Sequence, residues 1–282
     1  MNCPICGNYS KNFFKKYDYW ILSCSNCSHQ YVDINPSVVH TEMIYNDNYF
    51  EGGGDGYPNY LHESQIIRAH GRRYGRILKR YMIPGTVLDI GAAAGFILQG
   101  LFDEGWSGQG IEPNDKMANY ASTQLGLPVQ TGTLEQLATE KSFDLVTMIQ
   151  VIPHFYNLRL ALQIARDVTK PQGFWLIETW NRESLTAKIF GQNWHEYSPP
   201  SVLHWFSPDD LSNLAAQYGF TKVAIGKPEK WINGSHVKSL LRYKLQDLWM
   251  GKFFLPILNL IPDSLPIPYP AEDLFWILLQ KT

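Results

Sequence analysis

The stretch that decides the fold is Thr86-Val87-Leu88-Asp89-Ile90-Gly91-Ala92-Ala93-Ala94-Gly95-Phe96-Ile97-Leu98. A short apolar run ends in an acidic residue, a turn of small residues follows, and an apolar pattern with helical spacing continues to Gly105. Small residues let the backbone approach a ligand closely, and the start of a helix directs N–H groups at it. The stretch therefore predicts a strand, a ligand-binding loop and a helix of an α/β protein.

A second acidic residue stands where such a site would use it. Glu112 follows the apolar stretch Gly108-Gln109-Gly110-Ile111, and an acidic side chain at the tip of the second strand suits the two hydroxyls of a ribose. A dinucleotide-binding fingerprint would need a third glycine where Phe96 stands, and no P-loop lysine is present. These residues alone therefore favour a nucleotide of another class without identifying it.

The rest of the chain continues the alternation of strands and helices. Residues 143–154 read as a strand and the loop after it, 158–168 as a helix, Lys170-Pro171-Gln172-Gly173 as a turn and 174–179 as a strand. Together with the acidic and small residues of the first motif, this order resembles the class I S-adenosylmethionine-dependent methyltransferases of the small-molecule type, typified by the ubiquinone-biosynthesis O-methyltransferases. The resemblance covers about residues 45–226 plus the last strand. It implies a Rossmann-like, seven-stranded α/β sheet with helices on both faces.

The resemblance also implies which residues bind S-adenosylmethionine. The small-residue loop would pass under the methionine and ribose, Asp89 would hold the amino group and Glu112 would bind the ribose hydroxyls. Ala93 departs from the family pattern, which has a glycine there. Besides the two acidic residues, the expected cofactor contacts are Gly91, Ala93, Gly95, Pro113, Thr133, Leu134 and Gln150.

Aromatic residues and glycines crowd the segment of residues 45–60, before the first strand of the motif. A glycine run flanked by aromatic rings suits a mobile lid over a bound cofactor. Tyr49 and Tyr60 are therefore predicted cofactor contacts. The alternative is an ordinary surface loop whose rings pack inward.

Histidines follow the predicted strands on the side where the methyl acceptor would bind. A hydroxyl acceptor needs a base, and histidine suits that task near neutral pH. His154 is the first candidate for the catalytic base and His195 the second, followed by His204. The alternative for each is a structural role in its loop.

Four cysteines form two closely spaced pairs in the first 27 residues, Cys3 with Cys6 and Cys24 with Cys27. Two residues between thiolates let one tight turn present both sulfurs to one ion, and two such turns make a tetrahedral site. The sequence therefore predicts a zinc ribbon with a structural Zn²⁺, since four thiolates leave no open coordination position. Two redox pairs, or unbound thiols, are the alternatives.

The chain has 282 residues, of which 45% are hydrophobic, and this composition excludes wholesale disorder. A net charge of −2 argues against a general nucleic-acid binder. No apolar run is long enough to span a membrane, and the first residues lack the pattern of a secretion signal, so we expect a cytoplasmic protein. The predicted segments are a zinc ribbon (1–35), a lid with a leading helix (36–75), the methyltransferase core (76–226), an insertion (227–272) and the final strand (273–282).

The insertion is unusually apolar, and its residues 236–262 combine an amphipathic helical pattern with a nearly continuous apolar run. One hypothesis is a lid or a peripheral membrane contact that admits a lipid-linked substrate. The other is a cap packed on the fold or a contact between subunits.

The leading functional hypothesis is S-adenosylmethionine-dependent methylation of an oxygen, less readily a carbon, of a small-molecule, glycan or lipid-linked acceptor. Two alternatives stay open. One is a zinc-ribbon ribosomal-RNA guanine methyltransferase, against which the acidic composition speaks. The other is a non-catalytic binding module with a decayed methyltransferase fold, against which the intact first motif speaks.

Overall fold

The computed structural model describes residues 2–52, 59–245 and 261–282. Strands and helices alternate through the middle of the chain, as the apolar periodicity predicts. The strands are β1 (Ser10–Lys16), β2 (Tyr19–Cys24), β3 (Gln30–Val32), β4 (Thr86–Ile90), β5 (Ser107–Glu112), β6 (Val129–Thr131), β7 (Phe143–Ile149), β8 (Thr169–Trp180), β9 (His204–Trp205), β10 (Phe220–Gly226), β11 (Lys230–Asn233), β12 (Pro266–Tyr269) and β13 (Leu274–Lys281). The α-helices are α1 (Val38–Ile44), α2 (Asp47–Glu51), α3 (Ser64–Leu78), α4 (Phe96–Phe102), α5 (Asp115–Gln124), α6 (Leu158–Asp167), α7 (Leu185–Phe190), α8 (Pro208–Ala216) and α9 (Gly234–Leu245). Short 3₁₀ turns cover Tyr60–Glu63, Leu134–Gln136, Ile152–His154 and Gly191–Asn193.

A seven-stranded sheet in the order β10-β13-β8-β7-β4-β5-β6 forms the centre of the protein. Strands β6, β5, β4, β7 and β8 run parallel, and β13 is antiparallel to both of its neighbours, so β10 runs in the same direction as β8. After β4 the chain first adds β5 and β6 on one side and then crosses to β7 on the other. This change of direction opens a crevice at the carboxyl ends of β4 and β7, where open α/β sheets bind their ligands. The predicted Rossmann-like, seven-stranded fold is confirmed.

Side chains of the central strands point alternately to two apolar cores, one on each face of the sheet. Leu88 and Ile90 face a core completed by α6 and α8, while Val87 faces a core completed by α3, α4 and α5. This alternation follows from the period of two along a strand. On the first face, the rings of Trp175 and Phe220 stack with centroids 3.7 Å apart. Both faces are therefore covered by helices, as parallel strands require.

The N-terminal strands form a separate small sheet, with the order β1-β2-β3-β9. Its last strand belongs to the loop after β8, so the small sheet is completed by the methyltransferase part of the chain. An apolar cluster joins Phe14 and Ile21 of the small sheet to Trp194, Tyr197 and Trp205 of that loop. The N-terminal segment consequently packs on this loop, and its residues Leu22 and Tyr31 also join the apolar core on one face of the larger sheet.

Two predicted elements differ in detail from the structure. The predicted turn at residues 170–173 lies inside β8, where Gln172 has a positive φ of 62° and the pairing with β7 shifts in register. Within the insertion, β11 and β12 form a two-stranded antiparallel sheet, the β11–β12 sheet, which was not predicted from the sequence. The predicted amphipathic helix corresponds to α9, whereas residues 246–260 of the apolar segment lie outside the described residues. None of the helices within the described ranges is both long and apolar enough to cross a membrane.

Candidate active site

A cavity opens at the carboxyl ends of β4, β5 and β7, in the crevice created by the change of chain direction. Its wall includes most of the residues that the sequence singled out, although the strands that carry them are far apart in the chain. The predicted site residues that line the cavity are Tyr49, Tyr60, Gly91, Ala93, Glu112, Pro113, Thr133, Leu134, Gln150 and His154. Asp89, Gly95 and His195 are not among the lining residues.

The loop after β4 is shaped by backbone conformations that favour glycine. Gly91 has a φ of +66°, and a Cβ there would lie 2.5 Å from a methyl carbon of Val151. Gly95 has a φ of +80°, and a Cβ there would lie 2.6 Å from Leu127. The first glycine therefore keeps the cavity open, whereas the second lets α4 begin close against its neighbours. Both requirements follow from the absence of a side chain.

Two residues of the cavity wall adopt left-handed backbone conformations although they are not glycine. Ala93 has a φ of 47° and Gln150 a φ of 61°. Such conformations cost of order 1 kcal/mol or more and concentrate at functional sites. At Ala93 the conformation turns the backbone N–H toward Glu112, whose Oε2 accepts it at 2.8 Å.

Glu112 is almost fully buried at the end of β5 and lines the cavity. Its second oxygen, Oε1, accepts a hydrogen bond from the backbone N–H of Asn114 at 2.9 Å, and Asn114 in turn caps the start of α5. Burial raises the pKa of Glu112 to about 7 despite these two backbone N–H donors. Each carboxylate oxygen keeps a lone pair for another donor, as binding of a ribose diol would need.

Asp89 lies beneath the loop rather than in the cavity. One carboxylate oxygen accepts a hydrogen bond from Thr147 at 2.6 Å, while Oδ2 is buried without a partner among the described residues. Burial raises the pKa of Asp89 to about 7. An unsatisfied buried oxygen is costly, so Oδ2 of Asp89 is available to accept a hydrogen bond from a ligand donor.

Aromatic residues before α3 cover one side of the cavity. The ring of Tyr60 stacks on Phe96 of α4 with centroids 5.6 Å apart and meets Phe50 edge-on at 5.5 Å. Tyr49 meets Tyr45 edge-on at 5.0 Å. The rings of Tyr49 and Tyr60 thus line the cavity and also pack against other rings. Each of the two alternatives, a wall of the ligand site and an inward-packed loop, is therefore partly correct. Residues 53–58 of the proposed lid lie outside the described residues.

His154 also lines the cavity, in the 3₁₀ turn after β7. Its Nδ1 is 2.8 Å from the backbone carbonyl of Ser201, which can only accept, so Nδ1 carries the proton and Nε2 is the basic nitrogen. Tyr45 donates to the same carbonyl and meets the imidazole edge-on at 5.4 Å. Burial lowers the pKa of His154 to about 4, which keeps the ring neutral near pH 7.

His195 lies outside this cavity, beside the end of β8. Its ring meets Trp180 edge-on at 4.8 Å, and its Nε2 is 3.5 Å from a carboxylate oxygen of Glu196 and 3.8 Å from one of Asp273. Of the three histidines considered as the base, only His154 therefore lines the cavity together with Glu112 and Gly91.

Glu178 was not predicted from the sequence. It is fully buried in β8 and accepts hydrogen bonds from His70 at 2.8 Å and from the hydroxyl of Tyr74, while its other oxygen accepts from the amide nitrogen of Gln150 at 2.7 Å. The last bond fixes the orientation of the Gln150 amide in the cavity wall. An acidic residue near the end of an apolar strand, the signal used for Glu112, would have found Glu178 as well.

The N-terminal sheet reaches the loop that carries His154. Nε2 of His204 lies 3.2 Å from the carbonyl of Phe155, a neighbour of His154, so this nitrogen must donate. Nδ1 of His204 then accepts from Nε2 of His29 at 3.1 Å. His204 therefore has a structural role, because it links the N-terminal sheet to the wall of the cavity.

The four cysteines converge at one point of the N-terminal sheet. All four Sγ atoms lie within 4.8 Å of one another, with 3.6 Å between Cys3 and Cys27 and 3.4 Å between Cys6 and Cys24. Four sulfurs around one zinc ion lie about 3.8 Å apart, so the arrangement fits a tetrahedral site. The residues after the two pairs, Gly7 and Ser28, share the positive φ angle of matching turns, 73° and 59°.

The sheet order, the crevice and the glycine loop define an α/β protein with the class I methyltransferase fold. The sequence profile of a family described as a methyltransferase domain matches residues 62–225, more than half of the chain. The chain belongs to this methyltransferase-domain family, and the resemblance seen in the sequence is confirmed.

Several relatives are named ubiquinone biosynthesis O-methyltransferase. The protein from Paramagnetospirillum magneticum is 33% identical over 110 residues, which cover 37% of this chain and 43% of the relative. The protein from Rickettsia prowazekii is 28% identical over 152 residues, covering 52% of this chain and 56% of the relative. The chain spans about half the length of the curated relatives it matches.

Solved structures agree on the fold. The 1,6-didemethyltoxoflavin-N1-methyltransferase of Burkholderia thailandensis, solved with its substrate and S-adenosylhomocysteine, has a TM-score of 0.53 at 13% identity. That match covers 96% of this chain and 99% of the other. The magnesium protoporphyrin IX methyltransferase of Synechocystis, with bound S-adenosylhomocysteine, has a TM-score of 0.51 at 14% identity and covers 86% and 93% of the two chains.

Proposed function

We propose that this protein transfers a methyl group from S-adenosylmethionine to a hydroxyl oxygen of a small-molecule, glycan or lipid-linked acceptor. The observation that carries the proposal is the presence, in one cavity, of a buried carboxylate at the end of β5 and a neutral histidine at the end of β7. The first suits a ribose and the second suits a proton acceptor. Relatives named O-methyltransferases support the choice of oxygen.

The cavity residues divide into those that would hold the donor and those that would serve the acceptor. Glu112 would accept both ribose hydroxyls, and Pro113 would contact the adenine. Thr133 and Leu134 would border its edge. The loop containing Gly91 would lie under the methionine, beside the fixed amide of Gln150.

The chain would assist the reaction by positioning groups and by accepting a proton. Bound S-adenosylmethionine would supply a methyl group on a sulfonium: the acceptor oxygen would bond to the methyl carbon in line with the breaking C–S bond, and S-adenosylhomocysteine would leave as the neutral thioether. His154 would accept the hydroxyl proton at Nε2, because its Nδ1–H is bound to the carbonyl of Ser201. The low pKa keeps this nitrogen unprotonated, although it also makes the base weak.

We also propose that Cys3, Cys6, Cys24 and Cys27 bind a structural Zn²⁺. Four thiolates complete its coordination, so the ion would stabilise the N-terminal sheet rather than take part in the reaction. Native mass spectrometry of the purified chain would reveal an added mass of one zinc ion. A chain that carries no zinc, even when purified without chelators, would contradict this part of the proposal.

Transfer of a labelled methyl group to a cell extract, fractionated into small molecules, lipids, glycans, protein and RNA, tests the methyltransferase proposal. Wild-type protein is expected to label the small-molecule, glycan or lipid fraction, and the variant His154→Asn is expected to label it far more slowly. Labelled RNA would instead favour the ribosomal-RNA alternative. Absence of label in every fraction would contradict the proposed activity.

A further inference from the structure

A group of aromatic and charged side chains lies beside the donor cavity, where the insertion meets the end of β8. We call it the Lys230 cluster. It consists of Trp180, His195, Glu196, Lys230, Tyr269 and Asp273.

The β11–β12 sheet brings the ammonium of Lys230 and the ring of Tyr269 together. Lys230 and Tyr269 are direct partners across the two strands, so their side chains lie on the same face of the β11–β12 sheet. Nζ of Lys230 lies 5.4 Å from the ring centroid of Tyr269 and 5.2 Å from that of Trp180. The two rings themselves meet edge-on at 6.4 Å.

The β11–β12 sheet is held in place by contacts to α3 and to the 3₁₀ turn before it. Arg73 forms a salt bridge of 3.3 Å with Glu229, just before β11, and the amide of Asn233 donates to the carbonyl of His62 at 3.0 Å. At the start of α9, His236 pairs with the buried Glu63 at 2.6 Å. The position of Lys230 is therefore fixed before any ligand binds, which reduces the entropy cost of binding.

The cluster adjoins the donor cavity on two sides. Trp180 ends β8, two residues after Glu178, which holds the amide of Gln150 in the cavity wall. On the other side, Glu196 belongs to the loop before β9, in which the carbonyl of Ser201 accepts hydrogen bonds from Tyr45 and His154 of the cavity wall. The cluster is thus joined to the cavity wall through β8 and through the loop that contains Ser201.

The acidic members of the cluster lie next to the aromatic ones. Burial raises the pKa of Tyr269 to about 12, and the carboxylates of Asp273 and Glu196 add to the shift. Asp273 is itself buried and accepts the indole N–H of Trp194 at 2.9 Å. These carboxylates can accept hydroxyl hydrogen bonds, while the aromatic rings offer an apolar face.

Lys230 adds an accessible positive charge to this surface. Its side chain is only partly buried, and within the described residues no carboxylate forms a salt bridge with its ammonium. Both oxygens of the nearby Glu178 already accept hydrogen bonds from other side chains. An ammonium placed over aromatic rings keeps its charge and can bind an anionic oxygen.

We propose that the Lys230 cluster is the acceptor-binding subsite and that it takes a sugar carrying a phosphate group. The apolar face of the sugar ring lies against Trp180 and Tyr269, its hydroxyls donate to carboxylates, and its phosphate meets Lys230. This inference rests on the proposed methyltransferase function and names its substrate class. The same chemistry occurs in a nucleotide-linked sugar and in a sugar linked by phosphate to a polyprenol.

The test uses methyl-labelled S-adenosylmethionine and an undialysed extract of cells that lack this enzyme. The labelled product is separated into aqueous and organic phases and then treated with mild acid, which cleaves glycosyl phosphate bonds. The expected result is a labelled methylated monosaccharide released by acid. Label that starts in the aqueous phase indicates a nucleotide-linked acceptor, and label from the organic phase a lipid-linked one.

Variants separate the subsite from the donor cavity. Lys230→Met and Trp180→Ala are expected to reduce transfer about 10- to 100-fold, because each removes a contact to the acceptor, while the affinity for S-adenosylhomocysteine stays unchanged. Two matched controls are expected to keep wild-type transfer. They are Lys222→Met, on the exposed face of β10, and Trp231→Ala, on the other face of the β11–β12 sheet.

Three results would overturn the inference. Label in a product that contains no sugar would contradict the substrate class. Wild-type transfer rates in both cluster variants would contradict the location of the subsite. If no fraction is labelled although S-adenosylhomocysteine binds, the proposed function itself fails, and the inference fails with it.

Discussion

The binding of S-adenosylhomocysteine is expected to weaken as the pH falls through 7, because Glu112 becomes protonated. In the free protein burial raises the pKa of this carboxyl to about 7, and donation from ribose hydroxyls would favour the ionised form. With a pKa of about 7, the ionised fraction falls about tenfold from pH 8 to pH 6, which corresponds to about 1.4 kcal/mol of binding free energy. Affinity should therefore be full above the pKa and decline below it.

Isothermal titration calorimetry at several pH values between 6 and 8 measures this dependence. The variant Glu112→Gln is the matched control, since it keeps the shape of the side chain but does not titrate. We expect it to bind about 10- to 100-fold more weakly than wild type at pH 8, because hydrogen bonds to a charged acceptor are lost.

Other groups near the cavity do not produce the same difference between wild type and control. Asp89 also has a pKa of about 7, but its titration persists in the Glu112→Gln variant. His154, with a pKa of about 4, stays neutral throughout the range. An affinity of wild type that does not change between pH 6 and pH 8, or an equal pH dependence in the variant, would refute the reasoning.

Further variants test the base, the metal site and the core. His154→Asn should slow methyl transfer about 10²- to 10⁴-fold with an unchanged affinity for S-adenosylhomocysteine, and a rate near that of wild type would exclude His154 as the base. Cys24→Ser should abolish stoichiometric zinc in native mass spectra and lower the melting temperature, whereas retained zinc would contradict a four-thiolate site. His204→Phe should destabilise the fold by about 1–3 kcal/mol in urea unfolding, because a buried N–H of His29 loses its acceptor. Phe220→Ala should cost about 3–5 kcal/mol by removing the ring stacked on Trp175, and a loss below about 1 kcal/mol would contradict the packing described.

Most elements of the central sheet could be predicted from local patterns of apolar residues in the sequence. The strand, loop and helix predicted from residues 86–98 correspond to β4, its glycine loop and α4, and α6 ends one residue before the predicted end. These elements have clear apolar periodicity, and each packs on a sheet that requires that periodicity. Residues 170–173 were harder to predict, because lysine, proline and glycine indicate a turn, whereas the pairing of β8 with β13 extends the strand past them.

Contacts between distant parts of the chain could not be predicted in this way. His29 and His204 are separated by 175 residues, and neither has a neighbour in the sequence that indicates their hydrogen bond. The same holds for Lys230 and Tyr269, which are partners in the β11–β12 sheet although α9 lies between the two strands in the chain. The resemblance to a family indicated residues that line the cavity, whereas the Lys230 cluster depends on the pairing of β11 with β12 within the insertion.

The most direct test of the central claim is a crystal structure of the chain with S-adenosylhomocysteine. We expect the nucleoside in the crevice between β4 and β7, with both ribose hydroxyls on the carboxylate of Glu112 and the sulfur directed toward His154. A ligand bound elsewhere, or a cavity closed by side chains although the protein is saturated with ligand, would contradict it.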